Sequence, residues 1–197
     1  MRIAYLIGSY PTRTQTFIRQ EFEALRRLGH EVLPISVNPV DATDFDPDER
    51  AEHARTRHLK GTPVPAILAV VLRALLASPR AFFGVLLAGL KSARWDLRRL
   101  ALMPAYFVEA LLVRDLCERH GLVHVHAHFA LPWSNVAWLT AAFAGRVRPE
   151  AGWRWSLTIH GPHDFFDDPA LALGAKIDSV ARIVCISDHG RAQLMRQ

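Results

Sequence analysis

Residues 2–37, RIAYLIGSYPTRTQTFIRQEFEALRRLGHEVLPISV, decide the fold. The apolar run 2–8 ends in Gly8, the pattern of a parallel strand buried on both faces. A turn occupies 9–13. A helix then spans about 14–28, because Ile18, Phe22, Leu25 and Leu28 recur at helical spacing and build one apolar face. Gly29 stands where a C-terminal cap is expected. Residues 31–37 form a second strand, in which Pro34 predicts an edge or irregular position.

Working outward, 38–52 carries Asp41, Asp44, Asp46, Asp48, Glu49 and Glu52 and reads as an irregular, solvated excursion. Residues 55–99 reverse the sign, with nine cations against one acid, Asp96. Within them, 64–90 is very apolar. Arg73, Pro79 and Arg80 interrupt it, so no run of about 18 uncharged residues remains for a membrane span. It reads as two helices, either buried or lying on a membrane surface. A long helix over 96–120 ends at Gly121. The alternation then resumes: strand 122–127, helix 132–144 ended by Gly145, strand 153–159, helix 170–180, strand 183–186, and a helix from Ser187. Strands alternating with helices imply right-handed crossovers and a parallel sheet. The expected fold is α/β: a Rossmann-like parallel sheet with flanking helices, one domain over 1–197 with a helical excursion at about 64–120. The last helix lacks a terminator, so the expectation is a chain cut at a domain junction.

The net charge of +5 suggests anionic partners. The mixture of Arg, Lys, Leu and Phe over 55–99 suits an anionic membrane surface. No nucleic-acid recognition motif is present, so nucleic acid is not expected as a partner. The N-terminus is too soon interrupted to be a signal peptide. Cys117 and Cys185 both read as small buried hydrophobes, and a cytoplasmic location, peripheral to the membrane, fits them.

Open parallel sheets bind ligands beyond the carboxyl ends of their strands. The residues there are Gly8, Ser9, Tyr10 and Pro11; His128 and Phe129; His160, Gly161, Pro162, His163 and Asp164; and Ser187 and Asp188. Gly8 lets backbone approach a ligand, and Thr14 and Thr16 can cap the next helix or touch a phosphate. A single glycine is not a dinucleotide fingerprint. His160 ends its strand before Gly161, placed to meet a sugar hydroxyl or a diphosphate oxygen. His124, His126 and His128 alternate, so they share one strand face. That leaves two readings: a metal-dependent hydrolase using His126, His128 and His160, or histidines packed under helices with His128 lining the cleft. Ser187 reads as an N-cap that can also meet a ligand.

The opening YLIGSYPTRTQTFIRQEFEALRRLGHEV, then HVHAHFA, TIHGPHDFF and RIVCISDHGRAQL, resembles bacterial glycosyltransferase family 4 enzymes of the exopolysaccharide, colanic-acid type. The resemblance implies one half of a GT-B fold, the N-terminal, acceptor-side domain of a metal-independent retaining transferase. Its partners would be a nucleotide-sugar and a polysaccharide or lipid-linked acceptor. His160 would be catalytic. Gly8, Ser9, Tyr10, Thr14, Thr16, His128, Gly161, Asp164 and Ser187 would bind substrate. The family's nucleotide-sugar half, with two glutamates seven residues apart, has no counterpart here. Glu23 and Glu31 share the spacing but straddle a helix end. The chain alone is therefore expected to transfer sugar poorly, and a stand-alone sugar- or phosphate-binding module is a further reading.

Overall fold

The computed structural model describes residues 1–93, 96–161 and 176–196. It is an α/β structure with six parallel strands: β1 (Arg2–Ser9), β2 (Glu31–Asn38), β3 (Arg57–His58), β4 (His124–His128), β5 (Arg154–Ile159) and β6 (Arg182–Cys185). Their order is β3-β2-β1-β4-β5-β6. From β1 the chain moves outward through β2 and β3, and from β4 outward the other way. The direction therefore reverses between β1 and β4, the position where open parallel sheets form a crevice.

Seven α-helices are described: α1 (Thr16–Arg27), α2 (Pro47–Arg55), α3 (Val64–Ala77), α4 (Pro79–Ser92), α5 (Leu97–Arg119), α6 (Pro132–Val147) and α7 (Asp188–Leu194). One turn of 3-10 helix, Arg13–Gln15, precedes α1. The main core joins α3 to α6 to one sheet face, through Ala4, Leu6, Val125, Ala127, Trp155, Leu157 and Ile159. On the other face Ile3, Tyr5 and Ile7 pack with Ile18 and Phe22 of α1. Leu28, expected on that apolar face, is exposed.

Helix ends follow local chemistry. Gly29 has φ +78°, and the His30 and Gly29 amides donate to the Leu25 and Arg26 carbonyls. Gly121 (φ +63°) closes α5 the same way, with the Leu122 and Gly121 amides donating to Cys117 and Glu118. These pairs are the six-to-one and five-to-two bonds of a left-handed cap.

Several boundaries differ from expectation. The acidic excursion contains a helix, α2, held by a capping box: Asp46 accepts from the Glu49 amide and Glu49 from the Asp46 amide. The signal D-P-D-E was legible. Glu52, expected to be solvated, is buried and takes two hydrogen bonds from Arg26, at 2.8 and 2.9 Å. Strand β3 is two residues long, too short for a sequence pattern to mark it. It moves β2 off the edge, yet Pro34 is still tolerated. Ser36 O accepts from Leu59 N on the β3 flank. By strand alternation Pro34 faces that flank too, one position before β3 begins opposite Ile35. Gly145 does not end α6. Pro149 does, by forcing Arg148 (φ −138°, ψ 80°) out of helical geometry. Cys117 is buried but Cys185 only half-buried, and both are free thiols. Most of the helix expected over 170–180 lies outside the described residues, as do Arg94 and Trp95.

Candidate functional site

Strand alternation makes the α1-side face of the sheet polar. While Val125 and Ala127 enter the main core, His124, His126 and His128 point the opposite way. On β5, Ser156 and Thr158 do the same. His124, His126, Ser156 and Thr158, with Ile3, Tyr5, Arg154, Arg182 and Val184, floor a cleft of about 1300 Å³. Thr14, Gln15, Phe17 and Glu21 wall it on the α1 side, and Phe129, His160 and Ile186 close the carboxyl-end rim. The loops after β4, β5 and β6 and the segment after β1 thus meet at one cleft. That cleft also runs beyond the strand ends, down the sheet face to Arg154 and Arg182.

A chain of polar side chains leads to His160, hydrogen-bonded at its two ends but not at the middle link. Tyr5 Oη donates to Glu21 Oε1 at 2.7 Å. Glu21 Oε2 lies 3.5 Å from His128 Nε2, longer than a good hydrogen bond. His128 Nδ1 lies 2.9 Å from His160 Nε2. Phe129 lies against His160 at a 34° tilt, centroids 4.3 Å apart, and Phe17 approaches it at 5.0 Å. Phe129 has φ +67°, a left-handed conformation that costs energy in a bulky residue and clusters at functional sites.

Burial holds the inner histidines neutral. Desolvation, then neighbouring histidines, lowers His126 to about 3 and His128 to about 2. Desolvation and then Arg154 lower His124 too. His128 and Glu21 are therefore a neutral ring beside a carboxylate rather than an ion pair. Burial and Glu21 push the Tyr5 phenol up, so it stays a donor.

Glu21, His126 and His128 have ligand atoms within 4.8 Å of one another and could hold a metal ion. This set differs from the expected His126, His128 and His160. Both His126 nitrogens face hydroxyls, Nδ1 to Ser156 at 2.7 Å and Nε2 to Thr158 at 2.9 Å. A neutral imidazole has one donor and one acceptor nitrogen, so those bonds occupy the lone pair a metal would need.

The sequence-predicted residues divide. His160 and Thr14 line the cleft. His128, expected to line it, is 0% exposed because Tyr5, Phe129 and His160 cover its ring. Gly161 is half-buried beside His160, and Thr16 is exposed away from the cleft. Neither α1 nor the 3-10 turn before it has a side-chain cap, so the threonines do not cap. Gly8 serves packing: a Cβ there would lie 2.3 Å from the Trp133 ring. Trp133 Nε1 in turn donates to the His128 carbonyl. Ser9 receives a bond from Asn38, and Tyr10 is buried against α1. Ser187 Oγ caps α7 by accepting from the Gly190 amide at 3.1 Å. Pro162, His163 and Asp164 lie outside the described residues. Sequence reading missed Glu21, Tyr5 and Phe17, while Phe129, placed by its position after β4 at the ligand edge, does line the cleft. A signal existed for two of them: Phe17 and Glu21 are one helical turn apart, beside the Ile18–Phe22 row.

No protein-family model matches this chain, and no curated protein matches it.

Proposed function

We propose that this chain is the acceptor-side lobe of a retaining sugar transferase, and that the cleft receives a phosphorylated sugar at His160. One observation carries the reading: His160 stands at the rim of a large cleft, at the carboxyl ends of the strands where the sheet reverses direction. The motif resemblance supports the same substrate class. About 1300 Å³ is ample for a nucleotide-sugar.

The side chains divide the work. Phe17 and Phe129 offer apolar faces to a sugar ring. The Glu21 carboxylate favours the proton on His128 Nε2, so His128 Nδ1 accepts from His160 Nε2. His160, at the cleft rim, meets a sugar hydroxyl when its ring is neutral. Protonated, the ring donates to a phosphate oxygen instead. His128, Glu21 and Tyr5 are positioning residues. Transition-state stabilisation by fixed donors requires this kind of orientation in advance.

Binding tests the reading without requiring turnover. Calorimetric titration of the chain with glucose 1-phosphate, a phosphorylated sugar that needs no nucleotide pocket, should show saturable binding. His160→Ala should weaken it about tenfold or more, the usual worth of a hydrogen bond to a charged group. Equal affinity in His160→Ala would contradict the assignment. The metal-dependent hydrolase reading rests on the closeness of Glu21 to His128. Stoichiometric zinc binding lost in Glu21→Gln would favour it.

A further inference from the structure

We propose that the outer face of α3 and α4 docks on an anionic membrane surface, lying in the interface without crossing it. This inference is independent of the sugar-transfer reading. On α3, Val64, Leu68, Leu72 and Leu76 recur every fourth residue, and each is more than half exposed. On α4, Phe83 and Leu87 are also more than half exposed. The opposite rows, Val70 and Ala74 on α3 and Ala81 and Val85 on α4, already fill the core. The two helices are therefore apolar on both sides. Packing explains only the inner side, and a contiguous exposed row of this kind marks a contact surface.

Charge selects the occupant. Residues 53–95 contain seven Lys and Arg and no Asp or Glu, more positive charge than the +5 of the whole chain. Arg80 and Lys91 lie on the same exposed row of α4 as Phe83 and Leu87, one cation at each end of the apolar pair. That arrangement lets the stems bury while the charged heads stay at a headgroup layer. Arg73 is turned toward Asp115 of α5 and helps fix α3 instead. A second copy of the chain would bring the same cations with no acids from this segment to match them. An anionic lipid surface supplies the opposite sign.

Geometry sets the mode. Each helix has 14 residues, about 21 Å long, against about 30 Å of hydrocarbon. The pair is bent by 110°, and no single described helix is long and apolar enough to cross. Amphipathic helices of this kind lie in the interface plane. Because α3 and α4 belong to the core on the sheet face opposite the cleft, docking leaves the cleft open.

Flotation of the full chain with vesicles tests this. It should partition onto phosphatidylcholine vesicles containing phosphatidylglycerol, and about tenfold less onto pure phosphatidylcholine or at high salt. Leu68→Glu with Leu72→Glu should lower partitioning at least tenfold, since two leucines no longer bury. Both positions are exposed, so the circular dichroism spectrum and melting temperature should hold. Arg80→Glu with Lys91→Glu should cut binding to the anionic vesicles and leave the neutral ones unchanged. Equal flotation of wild type and both variants would overturn the proposal. So would an absence of flotation together with self-association in sedimentation that Leu68→Glu with Leu72→Glu abolishes, which assigns the face to a second copy.

Discussion

Lowering the pH from about 7.5 to about 5 is expected to remove about 4 kcal/mol of folding stability. His126 and His128 are neutral in the folded chain, with proton affinities lowered to about 3 and about 2, against an ordinary 6.5. The unfolded chain therefore takes up two protons that the folded chain refuses. The stabilising difference is complete above the unfolded value of 6.5. It is lost progressively as pH falls from there toward the folded values. Each group contributes about 1.4 kcal/mol per pH unit in that window. The groups facing them are His124 and His160, the Ser156 and Thr158 hydroxyls, Tyr5 and the Glu21 carboxylate. Among these, Glu21 alone opposes the effect. His124 and His58, also lowered chiefly by burial, act in the same direction. Urea denaturation at the two pH values measures the loss, and His126→Gln should flatten the slope. Equal midpoints at both pH values would mean these rings are solvated.

Replacing Glu52 by alanine should cost about 3 kcal/mol, the low end of what removing one partner of a buried ion pair costs. Glu52 is 3% exposed and binds the Arg26 guanidinium through both oxygens. Arg55 approaches it as well, at 3.7 Å. Without the carboxylate, Arg26 keeps its charge in a partly buried site between α1 and α2. The side chain of Arg26 is 26% exposed, so water relieves part of the penalty. Replacing both partners, Arg26→Met with Glu52→Leu, should recover most of the loss. A double-mutant cycle in chemical denaturation reads the coupling directly. Additive single effects would show that the pair contributes nothing.

How much of this was legible in the sequence depends on the range of the interaction. Apolar runs and caps are local, so β1, α1, α3, α4 and α5 are readable within a few residues. Strand β3 is held only by pairing to Ile35 and Ser36, which no two-residue pattern announces. Glu52 looked solvated because its partner is 26 positions away. The alternation of His124, His126 and His128 gave their shared face. It could not say that Tyr5, Phe129 and His160 would close over His128. In the sequence Gly8 reads as room for a ligand, whereas the room is taken by Trp133 from another helix.

Ring nitrogen spectra of the histidines, recorded while glucose 1-phosphate is added, probe the cleft most directly. His160 should shift with ligand, His128 should follow through the bond they share, and exposed His189 should stay in place. A saturable ligand signal that leaves His160 still, or zinc moving His126 and His128 at equimolar amounts, would contradict the placement of a phosphorylated sugar at this rim.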